Sequence, residues 1–257
     1  MSIHLRQICL VAEKLAPVAE GLKSVLGLEV GYVDEGVAEF GLENSIFPVG
    51  TNFIEVVAPI RENTAAGRYL KRRAGDGGYM VICQCDSHQT QLARRKRAQE
   101  LRVRIAWERE LEAMHIMQLH PADTGGAFFE IDWDATSDPQ GSWAAAGGTR
   151  WQSAKRTEVV SSYSAAEMQS PDPAALAERW SSIAEIPLRK DAKGRLEMPL
   201  ANACVRFVEA SDGRGEGLGG IDVVVADRKR LLDAADKRGC RVSESQVTIC
   251  GTRFYLV

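Results

Sequence analysis

The chain repeats itself, and the repeat limits what it can fold into. Gly77-Gly78-Tyr79-Met80-Val81 opens an apolar stretch near the middle, and Gly219-Gly220-Ile221-Asp222-Val223 opens another near the end. Each leads through an acidic residue, Asp86 or Asp227, into a charged stretch of helical character. Each is preceded by a strand-like segment built around an Asn, Asn52 or Asn202. Each ends through a turn of small residues in a closing strand, Gly125-Gly126-Ala127-Phe128-Phe129-Glu130 or Cys250-Gly251-Thr252-Arg253-Phe254-Tyr255. A supersecondary unit that recurs in this way sets the architecture before any single motif does.

Hydrophobic periodicity gives the unit its content. Residues 3–12 read as a strand. Leu15, Val18, Leu22, Val25 and Leu26 then recur at helical spacing, and Gly27 stops the helix. Strands are expected at 29–33, 37–42 and 52–58, and 61–75 reads as a polar connection with a helical turn. The next unit has a strand at 79–85, a helix over 88–103, and strands at 104–109, 115–120 and 127–133. Residues 136–152 are rich in Gly, Ala and Ser without periodicity and read as a linker. Beyond it come a strand at 158–169 and a helix that Pro173 opens, with Leu176, Trp180 and Ile183 inward. Strands at 196–199 and 202–209 and a loop at 213–220 follow. The last unit has a strand at 221–226, a helix at 228–238 capped by Gly239, and strands at 242–248 and 252–257. Strand, helix and three strands, repeated, mean mixed sheets with helices on one face. The expected fold class is α+β: tandem βαβββ modules paired into two half-barrel domains, 1–135 and 153–257. A concave, mostly apolar sheet with a few polar groups suits a small ligand.

Composition removes other classes. A formal charge of −3 gives no electrostatic footprint for nucleic acid or an anionic membrane. The first residues lack a signal-peptide layout and no apolar run approaches about 18 residues, so a cytoplasmic location is expected. The six cysteines sit mostly in apolar strand-like runs and read as small buried hydrophobes. Cys83 and Cys85 share a strand face and read as a reduced pair. Arg94-Arg95-Lys96-Arg97 reads as a solvated helix face, because nothing aromatic is interleaved. Glu55 and Glu130 each interrupt an apolar strand, where a carboxylate is costly unless it faces a partner, a cavity, a metal or solvent.

Two motifs carry a family resemblance. One is Leu119-His120-Pro121-Ala122-Asp123-Thr124-Gly125-Gly126-Ala127-Phe128-Phe129-Glu130, and the other is Leu5-Arg6-Gln7-Ile8-Cys9-Leu10-Val11. In this order and spacing, over nearly the whole chain, they resemble the vicinal oxygen chelate superfamily of glyoxalases, methylmalonyl-CoA epimerases, extradiol dioxygenases and bleomycin-resistance proteins. The resemblance implies four ligand positions, Gln7 and Glu55 from the first module and Met80 and Glu130 from the second. Gln7, Glu55 and Glu130 would hold a divalent metal ion, and Met80 would line the ligand cavity where relatives usually carry His. Glu130 would be the catalytic base. The equivalent positions of the second pair of modules, Ala165, Val205, Asp222 and Tyr255, offer no metal site. The implied function is a lyase or isomerase that transfers a proton alpha to a carbonyl of a small molecule. The alternative is a metal-free binding or sequestering protein of the bleomycin-resistance type. A homodimer is compatible with either.

Overall fold

The computed structural model describes residues 2–257 and contains two multi-stranded sheets with few, peripheral helices. The first module consists of β1 (Ile3–Val11), α1 (Leu15–Leu26), β2 (Leu42–Val49) and β3 (Asn52–Pro59), and α2 (Ala65–Arg73) follows it. The second is β4 (Gly77–Cys85), α3 (His88–Glu100), β5 (Ile105–Leu111), β6 (Met114–Leu119), the single turn α4 (Pro121–Thr124) and β7 (Phe128–Asp134). The third is β8 (Val160–Ser170), α5 (Pro173–Ala184), β9 (Arg189–Lys190), β10 (Leu196–Pro199) and β11 (Cys204–Glu209). The fourth is β12 (Gly217–Val225), α6 (Arg228–Arg238), β13 (Arg241–Ser243), β14 (Gln246–Ile249) and β15 (Thr252–Leu256). Strand order is β2-β3-β1-β4-β7-β6-β5 in one sheet and β13-β14-β15-β12-β8-β11-β10-β9 in the other. The expected α+β class and tandem modules are therefore present.

The first module departs from the expected order. Residues 29–33 contribute only the isolated bridge of Tyr32 to Ile46, and 37–42 holds a 3-10 turn, Glu35–Phe40, rather than a strand. The reason is local. The Asp34 side chain accepts from the Gly36 amide, and Gly41 at φ 73° ends the turn. Capping of this kind offers the backbone an alternative to a ladder. The strand that pairs with β3 is β2, an antiparallel partner reached through Gly50 at φ 67°. Further along, 242–248 splits into β13 and β14, and β12 begins at Gly217 inside the expected loop.

Helix signals behave as their chemistry requires. Ser87, Asp172 and Asp227 cap α3, α5 and α6 through their side chains. Thr64 does so for α2, which fills the expected polar connection with a full helix. Gly27 ends α1 at φ 71°, and a Cβ there would lie 2.7 Å from Val159 Cγ2.

The chain divides into two compact units, each assembled from separated segments. One holds the stretch up to Gln7 together with Tyr79–Ser142 and Ala165–Leu218. In it α3 packs on β6 and β7, α5 packs on β10 and β11, and α3 touches α5. Trp180 of α5 anchors this core: its ring stacks on Phe129 at 4.2 Å and meets Phe207 edge-on at 6.1 Å. Its indole N–H donates to the Thr124 carbonyl at 2.7 Å. The other unit holds Ile8–Gly78, Trp143–Ser164 and Gly219–Val257. Here α1 packs on β2, β3 and α6, and Trp151, at the end of the expected linker, meets Phe53 edge-on at 5.1 Å. The sheets thus divide along the chain near 136–152, whereas the compact units do not.

Candidate functional site

Strand β7 alternates in kind as well as direction. Phe129, Ile131 and Trp133 point one way, and Glu130, Asp132 and Asp134 the other, because successive strand residues face opposite sides. The stacking of Phe129 on Trp180 identifies the first side as the helix-covered face. The carboxylates therefore line the opposite face. The parallel register with β4 places Met80 beside Phe128, Ile82 beside Glu130 and Gln84 beside Asp132. The antiparallel register with β6 adds Gln118 beside Glu130.

Burial brings two of these acids, Glu130 and Asp132, to bear on one another. Asp132 is 0% exposed and Glu130 4%. The Asp132 Oδ1 accepts the Met117 amide at 3.2 Å, and its carboxyl also hydrogen-bonds that of Glu130. Burial, then the charge of Glu130, then that hydrogen bond push the Asp132 carboxyl well above the usual carboxylate range. Two neighbouring carboxyls cannot both ionise in such a place, so the pair holds a proton between them. Asp134 is different. Its Oδ1 accepts the Thr136 amide at 2.9 Å and the Thr136 hydroxyl at 2.6 Å, which closes the strand end. Gln84 is 1% exposed, and neither its Nε2 nor its Oε1 has a hydrogen-bond partner among the described residues. A buried polar group left so costs about 1–3 kcal/mol.

The residues singled out in the sequence are distributed as follows. Glu130 and Met80 share the carboxylate-bearing face, and Met80 is buried. Gln7 is buried in β1. Glu55 is buried in β3 of the other compact unit, where the Asn44 amide donates to its Oε1 at 2.6 Å. Asp222 and Tyr255 sit in register on β12 and β15, and the Tyr255 hydroxyl accepts from Arg253 Nε at 2.9 Å. Ala165 lies in register with Cys204, next to Val205, and brings no donor. His115 faces His88 across 3.2 Å on the helix side, next to Trp133. His120 caps α4 by accepting the Ala122 amide. Arg94 corrects the expectation of a solvated face: it is buried and ion-paired with Glu185, while Arg95 pairs with Glu108 and Glu110.

A divalent ion can be tested against these donors. Met80 offers a thioether, Glu55 already takes an amide, and Glu130 faces a neighbouring carboxyl. Among the described residues no group of three or more His, Cys, Asp and Glu is placed to hold a metal ion. Hard and borderline cations take oxygen and imidazole donors with open lone pairs. Of the four implied positions, Met80 is the one whose chemistry does not suit such an ion, whereas Gln7, Glu55 and Glu130 carry oxygen donors. Among the residues that sequence reasoning passed over, Asp132 and Gln84 matter most. The i, i+2 spacing of Glu130 and Asp132 was the available signal for the first. Gln84 was hidden between two cysteines that drew attention as thiols.

Comparisons with known proteins agree with the fold. The family model for a glyoxalase-like domain matches residues 8–184. The crystal structure of a hypothetical protein from Staphylococcus aureus aligns with 100% of this chain and 99% of its own, at 12% identity and a TM-score of 0.66. That likeness is one of fold. A methylmalonyl-CoA epimerase in complex with methylmalonyl-CoA and NH4+ covers 54% of this chain and 99% of its own, at 18% identity and a TM-score of 0.46. A Streptomyces coelicolor methylmalonyl-CoA epimerase variant in complex with 2-nitronate-propionyl-CoA covers 52% and 96%, at 19% identity and a TM-score of 0.45. No curated protein matches. No helix among the described residues is long and apolar enough to cross a membrane.

Proposed function

From the premise that this chain belongs to the glyoxalase-like domain family, within the vicinal oxygen chelate superfamily, we propose that it transfers a proton alpha to a carbonyl of a small molecule, as a lyase or isomerase of the glyoxalase and epimerase type. One observation supports this most: the buried Glu130–Asp132 pair, a base and an acid held side by side on one sheet face. Such a pair suits general acid–base chemistry near neutral pH. Glu130, as the carboxylate, takes the proton from the carbon next to the carbonyl. The C–H electron pair moves into the new C=C bond and the carbonyl oxygen becomes an enolate. The Asp132 O–H donates a hydrogen bond to that oxygen and stabilises it. Return of the proton to carbon completes an isomerisation.

The test is exchange of carbon-bound hydrogen with D2O, followed by NMR over a panel of small ketones, aldehydes and acyl thioesters. Glu130→Gln is expected to slow exchange by about 100- to 10,000-fold, the range of a positioned proton-transfer group. Full exchange in that variant removes the role from Glu130. Added Mg²⁺, Mn²⁺ or Ni²⁺ is expected to leave the melting temperature unchanged. A stoichiometric ion that is lost in Glu55→Ala would restore Gln7, Glu55 and Glu130 as a ligand set.

A second reading is a metal-free binding protein that sequesters a small molecule. The thioether at Met80 favours it, because a metal-dependent relative would carry an imidazole at that position. Saturable binding of a panel compound without exchange selects this reading.

A further inference from the structure

The Gln84 carboxamide is the feature of the carboxylate-bearing face that the proton-transfer step leaves unused. It lies in register with Asp132, its donor and its acceptor both lack a partner among the described residues, and it is buried. Natural interiors pair such groups with protein, water or ligand. The same face becomes accessible toward the sheet edge. Gln118 and Ile116 on β6 are half-buried, Trp107 beside Gln118 is half-buried, and Arg109 beside Ile116 is exposed. Phe128 and Met80 share that face with Gln84 and the carboxyl pair.

A carboxamide presents one N–H donor and one C=O acceptor side by side. Its complement is an acceptor and a donor at the same spacing. A carboxylate offers two acceptors, which leaves Oε1 unmet and adds negative charge beside Glu130. A cyclic cis-amide offers one of each in a rigid plane and carries no charge. We infer that Gln84 holds the cis-amide edge of a neutral cyclic ligand, a lactam, imide or cyclic ureide, by two antiparallel hydrogen bonds. This places a carbonyl-adjacent C–H near the carboxyl pair, and to that extent it rests on the proton-transfer reading above.

The probe is 5-methylhydantoin, whose ring has cis-amide edges and an exchangeable C5–H. The control is 1,3,5-trimethylhydantoin, which has no N–H. Calorimetry on the full chain is expected to show saturable binding of the probe and at least tenfold weaker binding of the control. Gln84→Leu is expected to weaken probe binding at least tenfold without lowering the melting temperature, because an apolar group replaces an unpaired polar one. Gln84→Met repeats the test should the leucine variant fold poorly. Absence of probe binding overturns the inference, and so does equal binding by wild type and variants. A crystal structure in which ordered water holds the Gln84 amide at saturating probe also overturns it. Gln84-dependent binding with no C5–H exchange removes the reaction and keeps the site. Exchange on other carbonyl compounds with no probe binding removes the inference alone.

Discussion

A carboxyl kept neutral by burial ties folding stability to pH. Asp132 releases its proton in the unfolded chain within the ordinary carboxylate range, whereas in the folded chain it holds the proton well above that range. Between those limits the folded state binds a proton that the unfolded state has lost. The contribution is fully present at acid pH and disappears as pH rises through the folded value. Asp132→Asn removes the titration while leaving an oxygen for the Met117 amide. Urea unfolding between about pH 5 and about pH 9 should show wild type losing stability with rising pH more steeply than the variant. Parallel slopes would show that this carboxyl is not their source. Glu130 was visible in the sequence because a charge in Phe128-Phe129-Glu130-Ile131 demands a reason. Asp132 was not, because Ile131-Asp132-Trp133 resembles the polar end of a strand. Only the register with β4 and the depth of β7 show it fully buried.

Elements were legible where one signal dominated. In α5 the helical spacing of Leu176, Trp180 and Ile183 marks the inward face, and all three are buried. Trp180 does more than periodicity implies, since it stacks on Phe129 and satisfies the Thr124 carbonyl near the start of β7. Trp180→Ala should cost about 3–5 kcal/mol in denaturant unfolding, the usual range for an emptied aromatic site. Trp180→Phe keeps the stack but leaves that carbonyl without its donor, and should cost about 1–3 kcal/mol. Similar losses for both would mean that the ring's volume contributes little. Segments 29–33 and 37–42 misled because Val and Tyr suggested strand, while a single Asp34 cap and Gly41 at positive φ decided otherwise. The charge run in α3 misled for the opposite reason. Arg94 pairs with Glu185, far along the chain, and Arg95 with Glu108 and Glu110 on the next strand, so neither pairing shows in the helix's own spacing.

The sheets and the compact units partition the molecule differently, and this sets how it can be cut. The sheet of β1–β7 belongs wholly to the first half of the sequence and that of β8–β15 to the second. Yet within one unit Phe129 from the first half is covered by Trp180 from the second, and a Cβ on Gly126 would sit 2.2 Å from the Glu216 carbonyl oxygen. Within the other unit α1 packs on α6, and Arg238 donates to the Pro17 carbonyl. A fragment of about 140 residues would carry every strand of its sheet and still expose these apolar faces, which cost about 25 cal/mol for each Å² left in water. Residues 1–140 alone should therefore unfold without a cooperative transition and bind a hydrophobic dye, as a collapsed chain without fixed packing does. Co-expression with 141–257 should restore a single sharp transition and suppress dye binding. A cooperative, dye-free 1–140 fragment would show that the sequential halves are self-sufficient domains. The repeat in the sequence would then mark folding units as well as sheet boundaries.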